Sequence, residues 1–277
     1  MKKSVQIIGT KIFDEAVYGY IKEAGFDGCD IDFTKKDVMS DENWEKNAYR
    51  IKELLEANSL SCVQVHLPVF DPFVSSEIIL EDIKEEMINS LKAMKILGAK
   101  WGAYHAKTSF KDKFSIKTAF EDNKREISIY LEEAEKQGVG IAIENIPVHP
   151  DCPQYRFYTS DYEDLDELVG SFKSDKIGIC WDFGHANLMP FRQEKAFKLL
   201  GDKIKITHIA NNYRFLDDHN LPTFGYLDWK SVMHGFFECG YGGDFSLEPH
   251  YPYEDNCFKT FFMHGYESLV MLEDYFK

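Results

Sequence analysis

The sequence lacks the features that mark several specialised protein classes. No apolar stretch reaches the roughly 18 residues that span a bilayer, so we expect a soluble protein. The N-terminus MKKSVQIIGT has a short apolar run and no small-residue cleavage site, which predicts a strand rather than a signal peptide and hence a cytoplasmic location. The six cysteines show no C-x-x-C spacing, and a chain of 277 residues does not need a disulfide framework.

Basic residues are also scarce. Asp and Glu number 47 against 32 Lys and Arg, which gives a formal net charge of -15. Because phosphate binding draws on clustered Lys and Arg, this balance argues against a nucleic-acid surface and favours a small neutral or singly charged substrate. The segment EPHYPYEDN contains neither a Gly-rich anion cradle nor a basic cluster, so a phosphorylated substrate is not favoured either.

The chain has no Pro/Ser-rich linker or low-complexity segment, so one domain over residues 1–277 is expected. Eight strand-like apolar runs follow one another: VQIIG, GCDIDF, CVQVHLP, WGAYHA, GIAIENIP, IGICWDFGHA, IKITHIANN and DFSLEPH. Apolar residues at helical spacing separate these runs, for example Trp44, Ala48, Ile51 and Leu55. Eight alternating units predict a single (β/α)8 TIM barrel, which typically takes about 250 residues. An open doubly wound sheet is disfavoured because no G-x-G-x-x-G follows the first strand.

Several local signals mark where the predicted helices begin and end. Four glycines each follow a helical stretch and precede a strand, where a left-handed cap is favoured: Gly25, Gly98, Gly138 and Gly240. Ser160 with Glu163 predicts a capping box at a helix N-terminus. The C-terminal stretch NCFKTFFMHGYESLVMLEDYF predicts the helix that closes the barrel.

The last four predicted strands each end near an acidic or histidine side chain: Glu144, Asp182, His208 and Glu248. In a barrel these ends converge on one face. Since an unpaired buried charge is very costly, the four side chains are expected to share a partner, and a divalent metal ion is the simplest one. Three carboxylates and one imidazole suit Mn²⁺, Mg²⁺ or Co²⁺ as well as Zn²⁺. A structural ion-pair layer is the alternative, which the shortage of nearby basic residues disfavours.

The motifs IENIP, WDFGHANL, THIANNY and SLEPH resemble those of the xylose isomerase-like barrel superfamily, which includes sugar isomerases, sugar epimerases and endonuclease IV-type enzymes. The resemblance extends strand by strand over essentially the whole chain. It implies that Glu144, Asp182, His208 and Glu248 bind one divalent cation. It also implies that Glu144 and Glu248 lie on opposite faces of a cis-enediolate, where one removes a proton next to the sugar carbonyl and the other returns one. The implied activity is isomerisation or epimerisation of a carbohydrate.

Five further side chains are expected to contact the substrate. By the same resemblance, His185 and Arg214 occupy positions at which the epimerases contact their sugar. His66 and His105 end the third and fourth predicted strands and are expected to face the same site. Phe70 follows His66 in the HLPVFDPF loop and is expected to form part of the pocket wall.

The same set of residues leaves other functions open. Asp217 and His219 form a D-x-H pair, and with them the chain supplies every ligand type that holds the three-zinc cluster of endonuclease IV-type enzymes. That alternative predicts more than one zinc and a zinc-dependent abasic-site endonuclease that activates water for phosphodiester cleavage. The acidic composition favours the isomerase. A metal-dependent dehydratase or lyase and a non-enzymatic binding protein are further alternatives on the same barrel, and a homo-oligomeric assembly is left open.

Overall fold

The structure of the protein is a computed structural model that describes residues 1–34, 36–39, 42–69, 77–108, 115–148, 157–252 and 254–275. The strands are β1 (Lys3–Ile7), β2 (Gly28–Asp32), β3 (Ser61–His66), β4 (Trp101–Tyr104), β5 (Gly140–Glu144), β6 (Ile177–Asp182), β7 (Ile204–His208) and β8 (Phe245–Leu247). The helices are α1 (Glu15–Ala24), α2 (Lys36–Met39), α3 (Trp44–Ala57), α4 (Glu77–Leu97), α5 (Ile116–Gln137), α6 (Tyr162–Gly170), α7 (Phe183–Asn187), α8 (Gln193–Leu200), α9 (Trp229–Glu238) and α10 (Phe258–Asp274). None of the described helices is both long and apolar enough to cross a membrane.

The eight strands form one parallel sheet in the order β7-β6-β5-β4-β3-β2-β1-β8. The two outer strands of this order meet just beyond β7, where Ile209 and Leu247 form a parallel bridge. Ile209 N donates to Ser246 O over 2.8 Å, and Glu248 N donates to Ile209 O over 3.1 Å. These contacts bring the sheet round into a (β/α)8 barrel, which confirms the predicted fold.

The barrel interior is apolar on one side and polar on the other. Small apolar side chains from four consecutive strands pack together inside it: Ala103, Ala142, Cys180 and Ile206. Buried polar side chains from the neighbouring strands line the opposite side: Ser4, Gln6, Asp30, Gln64 and Ser246. The main hydrophobic core, by contrast, lies between the strands and the surrounding helices. Because side chains alternate along a strand, Asp30, Gln64 and Ser246 lie one interior layer below Asp32, His66 and Glu248.

The helix ends largely follow the sequence signals. The four predicted glycine caps all adopt a left-handed backbone, with φ values of 108°, 78°, 76° and 83° at Gly25, Gly98, Gly138 and Gly240. The capping-box prediction is wrong, because Asp161 rather than Ser160 directly precedes the first helical residue of α6. The Asp161 side chain accepts from Glu163 N and so supplies the cap. The predicted C-terminal helix is confirmed as α10, which packs against α1.

Candidate active site

Four side chains from the last four strands meet at the carboxyl end of the barrel. Glu144, Asp182 and His208 are the final residues of β5, β6 and β7, and Glu248 directly follows β8. All four are buried, and one potential ligand atom from each lies within 4.8 Å of the others. Ligands that surround one ion at bond lengths of about 2.0–2.2 Å are separated by comparable distances. The structure therefore brings together the four residues for which the sequence predicts a metal site.

His208 lies between the two glutamates. Its Nδ1 is 3.1 Å from Glu144 Oε1 and 3.0 Å from Glu248 Oε2. The other ring nitrogen, Nε2, faces the polar side of the barrel interior and lies 3.3 Å from Asp30 Oδ2. Asp182 completes the group: its Oδ1 accepts from His185 N at the start of α7. The histidine thus turns one nitrogen to the carboxylates and the other to the barrel interior.

The protonation of this centre reflects a shortage of positive charge. Burial opposes the charged form of His208, but the carboxylates of Glu248 and Glu144 outweigh it and hold the pKa of His208 well above its usual range. Burial and the two glutamates also raise the pKa of Asp182 to about 7, although His185 acts in the opposite direction. Despite burial, His208 holds the pKa of both glutamates below their usual range. Protons therefore provide the compensating charge in the absence of a cation.

A divalent cation fits this donor set. Among the described residues, no Lys or Arg forms an ion pair with Glu144, Asp182 or Glu248. Asp182 Oδ2 and Glu248 Oε2 are buried without an aligned hydrogen-bond donor. Because buried carboxylates without a cationic partner are costly, these oxygens favour a bound positive ion. Three oxygen donors with one imidazole suit Mn²⁺, Mg²⁺, Co²⁺ or Zn²⁺.

A second potential ligand cluster lies beside the first. Nε2 of His185 and Nε2 of His219 lie 2.9 Å and 3.1 Å from the same oxygen, Asp217 Oδ2. On the far side of each ring, Nδ1 donates to a carbonyl oxygen, that of Asn145 for His185 and that of Glu248 for His219. Since a carbonyl only accepts, both rings carry a proton on Nδ1 and direct Nε2 to Asp217. Burial lowers the pKa of His219, but the hydrogen bond to Asp217 outweighs this effect and raises the pKa to about 10.

His66 and His105 extend the first cluster towards β3 and β4. His105 Nε2 lies 3.1 Å from Glu144 Oε2. His66 Nε2 lies 3.7 Å from the same oxygen and 3.9 Å from Glu248 Oε1. The His66 ring also stacks on His208, with centroids 5.4 Å apart and planes 9° apart. Both histidines therefore face the carboxylate cluster, as the sequence predicts.

Arg214 does not contact the four clustered side chains, and its predicted contact with the substrate stays a prediction. Its side chain is exposed, and its Nε donates to Asn187 Oδ1 over 3.2 Å. It lines a cavity of about 610 Å³ together with Phe191 and Asp228. No hydrogen bond joins Arg214 to the four central residues within the described part of the chain. Phe70, the predicted wall residue, lies outside the described residues.

The loop from β7 to α9, residues 209–228, holds Asp217 and His219 in a constrained backbone. Arg214 and His219 both adopt positive φ values, 67° and 46°, which are uncommon for residues with a side chain. Asn211 stabilises the base of the loop, because its backbone exchanges hydrogen bonds with Asn220 over 2.8 and 2.9 Å. Its Oδ1 accepts from Asn212 N and Leu227 N. The second cluster is therefore carried by a loop with its own hydrogen-bond network.

Three polar residues that support the site are not among the predicted site residues. Gln6 Nε2 donates to Glu248 Oε1 over 2.8 Å, and Asn145 bonds to the backbone of Asp182. Asp30 lies beneath His208. The sequence signal that could have identified them is a polar residue within or directly after an otherwise apolar strand. These residues are Gln6 in VQIIG, Asp30 in GCDIDF and Asn145 in IENIP.

Comparisons with known proteins agree with this fold. Matches to two curated relatives cover only 26% and 44% of those proteins' own lengths, so the chain spans less than half of each. The longer match is to the uncharacterized protein MJ1311 of Methanocaldococcus jannaschii, with 29% identity over 136 residues and 48% of this chain. Among solved structures, a D-tagatose 3-epimerase-like protein covers 100% of this chain and 97% of its own, with 22% identity and a TM-score of 0.80. The IOLI protein with a zinc atom covers 98% of both chains, with 19% identity and a TM-score of 0.79.

At these identities the solved structures show the fold alone. A sequence model described as a xylose isomerase-like TIM barrel matches residues 19–260, which is most of the chain. The match includes the ends of β5, β6, β7 and β8, where the four clustered side chains lie. The chain therefore belongs to the xylose isomerase-like TIM barrel family.

Proposed function

We propose that the protein is a divalent-metal-dependent sugar isomerase or epimerase that transfers a proton next to a carbonyl group. The observation that carries this proposal is that two ionised glutamates contact the same nitrogen of one histidine. Glu144 lies 3.1 Å and Glu248 lies 3.0 Å from His208 Nδ1. A neighbour of almost the same length is a D-tagatose 3-epimerase-like protein, which supports sugar chemistry of this kind.

Glu144, Asp182, His208 and Glu248 would hold the cation. When bound, it supplies Lewis-acid polarisation of the sugar carbonyl and so lowers the barrier to removal of a proton from the adjacent carbon. Glu144 and Glu248 have depressed pKa values despite their burial, because His208 favours their ionised forms. Both are therefore carboxylates at neutral pH, so either can remove a proton from carbon. The glutamate that has taken up this proton can return it in an isomerisation, whereas in an epimerisation the other glutamate must first take up a proton to deliver to the opposite face.

Neighbouring side chains support these two carboxylates in different ways. His105 contacts Glu144 Oε2 through its Nε2, and Gln6 donates to Glu248 Oε1. Each glutamate thereby keeps one oxygen fixed by a polar partner. Fixed orientation matters because proton transfer depends on the carboxylate lying within hydrogen-bond reach of the reacting group. We propose that His185, which lies against Asp182 and Glu144, contacts a substrate hydroxyl through Nε2 in place of its present bond to Asp217, while its Nδ1 stays bonded to Asn145 O.

Metal analysis and isotope exchange test this function. Protein purified without added metal is first analysed by elemental mass spectrometry and then incubated in D₂O with a panel of aldoses and ketoses. We expect about one divalent cation per chain and deuterium incorporation at the carbon next to the carbonyl of a turned-over sugar. A metal-loaded protein that exchanges no proton in any sugar would contradict the proposal. Formation of dehydrated products in the same NMR spectra would instead indicate a dehydratase.

A zinc-cluster phosphodiesterase is the second candidate, and the geometry of the second ligand cluster favours it. His185, Asp217 and His219 converge on one point, and His66 and His105 add imidazoles beside Glu144. We propose this function only as the alternative, since the net charge of -15 is unfavourable for binding nucleic acid. Close to three zinc ions per chain, together with nicking of an abasic-site DNA duplex, would establish it in place of the isomerase.

A further inference from the structure

Asp30 is a buried carboxylate in the middle of β2 that the proton-transfer chemistry does not use. Its side chain is fully shielded from solvent, and Oδ1 has no hydrogen-bond donor. Oδ2 accepts from Gln64 Nε2 over 2.8 Å and from Ser246 Oγ over 3.2 Å. No described Lys or Arg pairs with it, and the one ionisable side chain that forms an ion-pair contact with it is His208. A buried carboxylate in this setting is costly unless it serves a neighbouring group.

The neighbouring group that Asp30 serves is the imidazole of His208. Its Nε2 lies 3.3 Å from Asp30 Oδ2, an ion-pair contact that is not aligned as a hydrogen bond, while its Nδ1 faces Glu144 and Glu248 at 3.1 and 3.0 Å. A neutral imidazole carries its proton on one nitrogen and an acceptor lone pair on the other. Without a cation, Glu144 and Glu248 favour a proton on Nδ1 as well. When a cation occupies the carboxylate cluster, an aspartate beneath Nε2 favours the remaining proton at that nitrogen, which leaves the Nδ1 lone pair directed at the cluster.

We propose that Asp30 is a positioning residue that orients His208 and fixes its tautomer, so that Nδ1 serves as a cation ligand. The inference rests on the proposed function, because it presumes the divalent cation site. Residues that accept the second N–H of a metal-binding histidine set the ring orientation and raise its basicity as a ligand. Gln64 and Ser246 both donate hydrogen bonds to the Asp30 carboxylate and so fix its position. The polar side of the barrel interior thereby helps to orient His208 as a metal ligand.

A second buried aspartate on the same strand provides the matched control. Asp32 lies two residues further along β2 and is also buried. Its two oxygens accept from backbone groups, Oδ2 from Gly9 N over 3.0 Å and Oδ1 from Thr34 N over 2.8 Å. Asp32 forms no ion pair with His208 in the described structure. Substitution of Asp32 therefore removes a buried carboxylate from β2 without altering the support of His208.

The experiment compares Co²⁺ binding in the full-length wild type, Asp30→Asn and Asp32→Asn by competition with a chromophoric chelator. We expect Asp30→Asn to weaken Co²⁺ binding by about 10–100-fold, whereas Asp32→Asn leaves the dissociation constant unchanged. The Co²⁺ absorption spectrum should shift in Asp30→Asn only. In ¹⁵N-histidine NMR, His208 of the metal-loaded wild type should carry its proton on Nε2, and that signal should be lost or mixed in Asp30→Asn.

Equal Co²⁺ affinity and identical spectra for Asp30→Asn and wild type would overturn the inference while leaving the metal centre intact. A wild type that binds neither Co²⁺ nor Zn²⁺ would overturn the proposed function and the inference with it. If Asp30→Asn does not fold, Ser246→Ala provides the same test, because it removes one donor to Asp30 Oδ2 and leaves His208 itself untouched. Weaker Co²⁺ binding in Ser246→Ala supports the inference, and unchanged binding contradicts it.

Discussion

Asn145 and Asp182 are joined by two reciprocal hydrogen bonds. Asn145 Oδ1 accepts from Asp182 N over 2.7 Å, and Asn145 Nδ2 donates to Asp182 O over 2.9 Å. Because Asn145 directly follows Glu144, this pair links the end of β5 to the end of β6. Both residues are buried, so water does not readily replace either bond. The Asn145 amide therefore extends the pairing of β5 with β6 to the strand ends that carry Glu144 and Asp182.

Asn145→Ala should destabilise the protein and weaken its metal binding. The substitution leaves two buried backbone groups of Asp182 unpaired, each at a cost of about 1–3 kcal/mol. Urea denaturation of the metal-free protein measures the loss. Asn58→Ala is the control, because Asn58 Nδ2 also donates to a carbonyl oxygen, that of Leu54, but far from the site at the end of α3. An equal effect of both substitutions on metal affinity would argue against a specific role for Asn145.

Glu144→Gln and Glu248→Gln should each lower sugar turnover by about 10²–10⁴-fold, because glutamine keeps the shape of the side chain but cannot accept the proton. Initial rates on a turned-over sugar and the metal content of each variant are measured together. Glu15→Gln on the exposed face of α1 is the control and should leave both quantities unchanged. Near-normal turnover in either site variant would refute the two-base chemistry.

Asp217→Asn and His219→Gln test whether the second cluster holds metal. If the proposed isomerase binds a single cation, both variants should retain about one equivalent by elemental mass spectrometry, because the ligands at Glu144, Asp182 and Glu248 remain. The loss of cations from a wild type that carries close to three would instead support the zinc cluster. His234→Gln, an exposed histidine on α9, is the matched control for nonspecific metal binding.

Cation binding should release protons, and affinity should fall as the pH is lowered. Without metal, the raised pKa of His208 keeps its ring protonated at neutral pH, and Asp182, with a pKa of about 7, is about half protonated. Both must lose their protons to become ligands. Acidification stabilises the protonated forms and therefore competes with the metal. Calorimetric titration at pH 7 in buffers of different ionisation enthalpy should show at least one proton released per cation; no release would contradict this protonation scheme.

Two glycine substitutions should shift stability in opposite directions. Gly225 has a φ of 154°, and an added Cβ would lie 2.3 Å from Asn211 Oδ1, so Gly225→Ala should disturb the loop that carries Asp217 and His219. Gly19 lies within α1 with nothing within 4 Å of an added Cβ, so Gly19→Ala should stabilise the protein by about 0.5–1 kcal/mol. Thermal unfolding of both variants measures the contrast. Stabilisation by Gly225→Ala would show that this loop is less constrained than its geometry indicates.

The strand number and the clustered residues could be predicted because burial imposes a strong pattern on parallel strands. Each predicted run continues past its strand, as GIAIENIP does beyond Glu144, because apolar residues also line the loops that follow. Asp30 could not be assigned from the sequence alone. Its role depends on contact with His208, which is far away along the chain and near only once the barrel is closed.

Local signals failed where two neighbouring residues compete for one position. Ser160 and Asp161 are both good N-caps, and the choice of Asp161 depends on where α6 begins. The contact between Arg214 and Asn187 could not be predicted from the sequence for a different reason. The orientation of the Arg214 side chain follows from a left-handed backbone at this residue and a hydrogen bond to Asn187. Neither feature produces a periodic pattern in the sequence.

The junction between β7 and β8 has consequences for aggregation. Two backbone hydrogen bonds in the described structure join these strands, both through Ile209, and β8 is only three residues long. If the junction opens, the barrel becomes an open sheet with two unpaired edges, which are templates for pairing with other chains. His208 and Glu248 stand on opposite sides of this junction. A cation bound to both would hold the edges together, so metal supply would govern how readily the chain forms intermolecular β-structure.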